Sequence, residues 1–359
     1  MKSKIIKKIL SYANEHEIFD LAITKKNDHH ILWANTALTS HQIKIPAKLE
    51  ADLGNVFRHL LSLAPDELIS GAYFKTEDTK FNISIIPDGE GEKIIIKVIP
   101  KTTKLLPLSH LGLGRNERKV IENFLRRQRG LIIIGAGNSQ GKTTTLYSLL
   151  QKIDKEKRAC YLLADKQELE LDAINYLSGP TANYQNGLEH ILKSDSEVIA
   201  IDDIPDKLIG EAAYAAKTGR LIIATTRAEN ISELSGKIKS LSLNEDLPIL
   251  LIFEKLLMKN CPHCLQAYVI REDEELIEKY WPADKKYKPK YFFTSHGCPK
   301  CNHSGVSGQI ASFNLTQMNN QEINFFSSLA SDVMYKAANG LISMGKFIAK
   351  HQSAKIKKL

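Results

Sequence analysis

Residues 131–135 read Leu-Ile-Ile-Ile-Gly, residues 136–143 Ala-Gly-Asn-Ser-Gln-Gly-Lys-Thr, and residues 144–150 Thr-Thr-Leu-Tyr-Ser-Leu-Leu. The first run suits a strand buried on both faces, and the last suits a helix. Strand, glycine-containing loop, Gly-Lys-Thr and helix in that order are the context of a P-loop. The candidate contacts are Ala136, Gly137, Asn138, Ser139, Gln140, Gly141, Lys142, Thr143 and Thr144. Gly141 lets the backbone approach a phosphate, successive N–H groups and the helix N-terminus bind the anion, Lys142 reaches the β/γ-phosphates and the Thr143 hydroxyl ligates Mg²⁺. Ala136 replaces the first glycine of the motif and Ser139 stands where many such loops carry glycine, but neither change removes the lysine or the hydroxyl. ATP with Mg²⁺ is the expected ligand.

Around this loop, short apolar runs alternate with helical stretches. Leu131–Ile134, Tyr161–Ala164, Val198–Ile201 and Leu221–Thr225 read as strands, with helices after Lys142, Asp206 and Ile231. Such alternation predicts a largely parallel sheet covered by helices. Upstream the pattern is mixed: an amphipathic start at Ile5, Ile6, Ile9 and Leu10, an alternation near Phe19–Ile23, and a helix-like stretch from Leu49 to Leu63. Two strand-like runs, Phe81–Ile86 and Lys93–Ile99, flank Pro87–Gly91 and predict a hairpin with a long turn. Thr102–Leu113, with Pro107 and Gly112 and with Gly114 directly after it, reads as a linker. The fold class is therefore α/β: an N-terminal α+β domain over 1–104, then a RecA-like P-loop domain over 105–359 that ends in a C-terminal helical segment.

The 359 residues suffice for two or three domains, and 43% hydrophobic with 25% charged residues argues against a disordered or fibrous chain. The longest apolar runs fall far short of the roughly 20 residues that a spanning helix needs. Lysines interleave with the apolar residues of the first ten positions, which argues against a secretory signal and points to a cytoplasmic protein. The net charge of +8 is concentrated partly in lysine-rich ends that suit an anionic membrane surface or nucleic acid, or that are simply solvated. No nucleic-acid recognition motif accompanies it, so no specific nucleic acid is expected.

Cys261-Pro-His-Cys264 and Cys298-Pro-Lys-Cys301 are separated by 33 residues. Each pair offers two thiolates from one tight turn, the signature of a structural Zn²⁺ site in a subdomain of about residues 258–312. Iron–sulfur ligation, redox use and two unrelated thiol pairs are the alternatives. Cys160, beside a predicted strand, reads as a buried apolar residue.

A P-loop domain followed by a tetracysteine insertion resembles the type II secretion and type IV pilus assembly ATPases, the secretion-system protein E family. Phe81–Pro87 with Gly91–Lys97 is similar to that family's N-terminal hairpin, and Gly141-Lys-Thr-Thr-Thr-Leu-Tyr147 to its P-loop. Asp165 and Glu168 fall in its acidic Asp box, Asp195–Asp203 in its Walker B segment, and Thr218–Thr226 in its His box, while Cys298–Phe313 resembles its zinc segment and the stretch after it. The resemblance implies a motor ATPase of a type II secretion, type IV pilus or competence-type system. It further implies a hexamer, or a mixed ring with a paralogue, lying peripherally at the cytoplasmic face of the inner membrane under a platform protein. Asp203 is then the base candidate, with Asp165 and Glu168 ordering water and metal.

The chain departs from the family pattern at several of these positions. Walker B ends in Asp202-Asp203 instead of Gly-Glu, Arg220 and Arg227 replace the His-box histidines, and Ala164 replaces the first acidic residue of the Asp box. Asn82 and Lys97 stand at the N-terminal arginine positions, and Glu189 and Lys193 at the basic positions before Walker B. An asparagine cannot supply an arginine finger's charge, though Arg220 and Arg227 carry donor forks suited to phosphate. Two readings result: a working motor, or a family member that binds nucleotide with weak or no hydrolysis and acts as a regulatory or structural partner.

Overall fold

The computed structural model describes residues 8–13, 18–26, 29–36, 40–45, 53–64, 69–75, 79–89, 91–100, 105–165, 169, 171–179, 183–241, 247–269, 274–282, 288–318 and 323–343. The chain divides into two compact units, Met1–Lys104 and Leu105–Leu359.

Unit 1 is built on strands β1 (Ile18–Lys26), β2 (His29–Thr36), β3 (Ser40–Lys44), β4 (Ile69–Lys75), β5 (Thr79–Asp88) and β6 (Gly91–Pro100). They form one sheet in the order β3-β2-β1-β6-β5-β4, with antiparallel neighbours throughout. The period of two explains the core. Leu21 and Ile23 of β1, Phe81, Ile83 and Ile85 of β5, and Ile94, Ile96 and Val98 of β6 are all buried in one cluster. A short helix α1 (residues 8–13) adds Leu10 and Ala13, and α2 (Leu53–Leu60) adds Leu53 and Phe57. The buried Arg58 of α2 pairs with Glu92 of β6, so its charge is compensated where it is withdrawn from water.

The hairpin turn is tighter than the sequence predicts. Pairing runs through Pro87–Glu92 to Asp88–Gly91, leaving only residues 89 and 90 between the strands. Pro87 has no N–H to donate, and among the described residues β4 pairs with β5 only as far as Ile85, so the proline costs none of the described ladder bonds.

Unit 2 holds an eight-stranded sheet in the order β16-β15-β12-β7-β11-β10-β8-β9. Its strands are β7 (Gly130–Ala136), β8 (Cys160–Ala164), β9 (Ile174–Ser178), β10 (Val198–Ile201), β11 (Leu221–Arg227), β12 (Ile249–Asn260), β15 (Val306–Met318) and β16 (Ile323–Ser327). The run from β9 to β12 is parallel, and β15 and β16 are antiparallel additions. A separate ribbon pairs β13 (Leu265–Tyr268) with β14 (Phe292–Ser295). The central strand β7 is buried along its whole length, as a strand covered on both faces must be. Helices α3 (Arg115–Leu125) and α4 (Lys142–Gln151) contribute to one hydrophobic cluster, and α5 (Tyr184–Leu192), α6 (Ile209–Lys217) and α7 (Ile231–Lys239) to the other. Two further helices, α8 (Glu274–Tyr280) and α9 (Leu329–Ala338), follow the parallel strands.

The segment read as a linker is partly core. Leu108, Leu111 and Leu113 are buried against the sheet, and the Leu111 carbonyl accepts from the Ala311 N–H of β15. Its leucines outweigh the proline and glycines that suggested a free tether.

Candidate functional site: the phosphate loop and its neighbours

The loop at residues 137–141 leaves the carboxyl end of β7, where ligands bind in open α/β sheets. Gly141 sits at φ +103°, a left-handed conformation that strains any side-chain-bearing residue, and it hands the chain directly to α4. Lys142 turns back over the loop and donates from Nζ to the carbonyl of Gly137 at 3.0 Å and of Ala136 at 3.4 Å. The ammonium is thus held across the mouth of the anion cradle.

The residue directly after β10 supplies the facing acid. The Thr143 hydroxyl donates to Asp202 Oδ2 at 3.0 Å, and the Thr225 hydroxyl donates to Asp202 Oδ1 at 2.6 Å. The same Thr225 oxygen accepts from the Asp203 N–H at 2.7 Å, fixing Asp203 at φ +54°. Burial pushes the Asp202 carboxyl upward, opposed by the two threonine hydrogen bonds and by the charge of Lys142, while the Asp203 charge raises it further. Asp203 itself is exposed, with its side chain beyond the strand end. Asp165 follows β8, parallel to and beside β10, and both aspartates of Walker B and Asp165 act on the buried Tyr184 hydroxyl, which desolvation and these charges raise. Of the three predicted catalytic carboxylates, Asp165 and Asp203 lie together at this end of the sheet; Glu168 lies outside the described residues.

Two contacts from β12 hold the loop and the start of α4, and the sequence signals neither. Gln140 Oε1 accepts from the Leu256 N–H at 3.0 Å. Glu254 is 1% exposed, accepts from the Thr145 hydroxyl at 2.5 Å, and leaves Oε1 without a hydrogen-bond partner. Desolvation pushes its carboxyl up to about 8, against the Thr145 bond and the Lys142 charge, so it is mainly neutral at pH 7. A glutamate in a strand reads as surface, and only the parallel pairing of β12 with β7 brings it beneath the loop.

The two His-box arginines part company. Arg227 ends β11 in register with Ala136, beside the loop. Arg220 precedes β11 at the opposite end of the sheet, donating to Ser196, Thr218 and the Leu192 carbonyl. It therefore cannot replace a missing finger at this chain's own loop. Asn82 and Lys97 are cross-strand partners in unit 1, while Glu189 lies in α5 and Lys193 caps that helix.

The cysteine pairs converge. All four Sγ atoms lie within 4.8 Å of one another, with Cys261–Cys298 at 4.0 Å, Cys264–Cys301 at 3.9 Å and Cys298–Cys301 at 3.7 Å. A tetrahedral zinc ion with Zn–S of about 2.3 Å needs sulfurs about 3.8 Å apart, so the set fits the ion. Desolvation raises the Cys301 thiol, but N–H groups of Cys298 and Gly305 aimed at its sulfur prevail and lower it to about 6. Gly305 sits at φ +72°, and a Cβ there would stand 2.6 Å from the Ser295 carbonyl oxygen, so the turn admits only glycine. Cys160 is buried in the core, and burial raises its thiol.

A parallel sheet with a glycine-turned loop, Lys142, Thr143 and an aspartate directly after β10 defines a RecA-like P-loop nucleotide-binding domain. The family model for "Type II/IV secretion system protein" matches residues 64–339, and the chain belongs to that family. It is 26% identical over 238 residues to type II secretion system protein E of Dickeya dadantii, covering 63% of this chain and 46% of that protein. It is also 26% identical over 239 residues to type II secretion system ATPase E of Vibrio cholerae, again covering 63% and 46%. The chain thus spans about half the length of the curated relatives it matches. The X-ray structure of the Legionella pneumophila ATPase DotB superposes with a TM-score of 0.61 at 14% identity, covering 97% of this chain and 95% of that one, a likeness of fold. Among the described residues no helix is long and apolar enough to cross a membrane.

Proposed function

We propose that the chain is an ATP-binding motor subunit that hydrolyses ATP to ADP and phosphate in a type II secretion, type IV pilus or competence-type assembly system. The observation that carries this reading is the Thr143–Asp202 contact beside Lys142, which places a hydroxyl, a carboxylate and an ammonium around one anion cradle. Mg²⁺, when bound, would supply charge neutralisation at the β- and γ-phosphates. Thr143 would hold that ion with Asp202 behind it, and Lys142 would exchange its loop carbonyls for phosphate oxygens. Both Asp202 oxygens are engaged by threonines, which leaves Asp203 as the group able to orient a water and accept its proton. Asp165 adds negative charge beside it, and Gln140 and Glu254 keep the loop's shape. Cys261, Cys264, Cys298 and Cys301 would hold Zn²⁺ with all four positions filled, a structural role.

Family membership supports a ring of six such subunits, alone or mixed with a paralogue, at the cytoplasmic face of the inner membrane against a platform protein. A second reading, nucleotide binding with slow or no turnover, draws on Asp203: its side chain is one methylene shorter than glutamate, and a displacement of about 1 Å can cost about 10²-fold in rate. Steady-state phosphate release separates the two. The motor reading expects turnover that is lost in Lys142→Ala and reduced at least tenfold in Asp203→Asn. Turnover equal in wild type and Lys142→Ala would refute it, and ATP binding without turnover would establish the second reading.

A further inference from the structure

Lys237 lies in the last turn of α7, and its ammonium joins two segments that flank the phosphate loop. Nζ donates to the Arg227 carbonyl at 2.7 Å, at the end of β11, and to Asp206 Oδ1 at 2.8 Å, in the turn that follows β10. Glu233, one helical turn back, stands 3.8 Å away. Each close partner leads to the nucleotide site. Next to Arg227, the Ala228 N–H donates to the Ala136 carbonyl at 3.2 Å, one of the two carbonyls that hold Lys142. Asp206 belongs to the same turn as Asp203.

That turn needs holding. Asp203 has φ +54°, a sparsely populated conformation that persists only where its surroundings fix it. Thr225 fixes one end, taking the Asp203 N–H on its hydroxyl and the Ile204 N–H at 2.8 Å on its carbonyl. Asp206 fixes the other, because the Thr226 hydroxyl donates to its Oδ1 at 3.2 Å beside Lys237. The packing of α7 does not require the lysine, since Leu234 and Ile238 already seat that helix in the core. The Lys237 side chain is only 18% exposed, so its charge is largely withdrawn from water and depends on these acceptors.

We propose that Lys237 is a positioning residue for ATP hydrolysis: by joining the turn after β10 to the end of β11, it fixes Asp203 relative to the phosphate loop. The role rests on Asp203 being the group that orients the attacking water. It should separate turnover from binding. Lys142, Thr143 and the loop N–H groups take the phosphates without passing through Lys237, whereas a displacement of about 1 Å at the base can cost about 10²-fold in rate.

The test compares three variants of the full chain. Lys237→Met keeps the stem and removes both hydrogen bonds, Lys237→Arg restores donors, and Asp206→Ala removes an exposed acceptor. Mg·ATP affinity by calorimetry should stay within about threefold in all three. Steady-state phosphate release should fall about tenfold or more in Lys237→Met and Asp206→Ala, and Lys237→Arg should recover to within about threefold of wild type. In an Asp203→Asn background, Lys237→Met should lower phosphate release by less than about twofold. Hydrogen exchange gives a readout independent of turnover: amides of residues 202–206 should exchange about tenfold faster in Lys237→Met, while those of β7 change less than about twofold. Unchanged phosphate release, unchanged exchange at 202–206, equal acceleration in β7, or a full further loss in the Asp203→Asn background would overturn the proposal. A wild type that binds ATP without turnover refutes the motor reading instead, and exchange then decides: acceleration confined to 202–206 supports Lys237 as the residue that places Asp203, and its absence overturns it.

Discussion

Glu254→Gln isolates the cost of placing a carboxyl beneath the phosphate loop. The folded protein holds this group at about 8, against an ordinary value of 4.5. Between those values the folded chain binds a proton that the unfolded chain has released, so unfolding free energy must fall as pH rises. At about 1.4 kcal/mol per pH unit, the cost is under about 1 kcal/mol at pH 5, about 3 at pH 7 and about 5 above pH 8.5. Glutamine keeps an oxygen for the Thr145 hydroxyl and never ionises, so the variant should match wild type near pH 5 and exceed it by several kcal/mol at pH 9. The chain has two tryptophans, Trp33 in unit 1 and Trp281 in unit 2, so a Trp33→Phe background lets Trp281 fluorescence report unit 2 alone. Urea unfolding of both proteins from pH 5 to pH 9 gives the comparison. Parallel pH profiles would refute the reasoning, because they would mean that Glu254 titrates alike in both states.

Three further outcomes are expected from the geometry. Cys261→Ser or Cys298→Ser should remove stoichiometric zinc, measured by metal analysis, and lower the unit-2 unfolding midpoint, since structural zinc contributes on the order of 10 kcal/mol when bound. Gly305→Ala should also cost zinc, because a Cβ would stand 2.6 Å from the Ser295 carbonyl oxygen at a left-handed φ; thermal unfolding with metal analysis checks it. Arg220→Ala should lower stability by about 1–3 kcal/mol through its lost hydrogen bonds yet leave ATP affinity within twofold, because the side chain is tied at the far end of the sheet.

The features legible in the sequence were those whose determinants are contiguous. Gly141 must take a left-handed turn wherever it lies between that strand and that helix, and each Cys-Pro-X-Cys turn offers its thiolates locally. The long strands β12 and β15 were not legible. Glu254, Lys255, Lys259 and Asn260 interrupt the apolar run of β12, and its pairing with β15 joins segments about 50 residues apart. The buried role of Glu254 and the junction of Asp202 with Thr225 were hidden for the same reason: each depends on which strands are neighbours in the sheet. Arg220 and Arg227 look equivalent in a motif, yet a seven-residue strand puts them at opposite ends.

The most direct test of the central claim is calorimetric titration of Mg·ATP into wild type and Lys142→Ala. The account predicts one site per chain whose affinity falls at least a hundredfold without the ammonium, with the fold unchanged by circular dichroism. Equal affinity in the two proteins, or no binding to either, would contradict it.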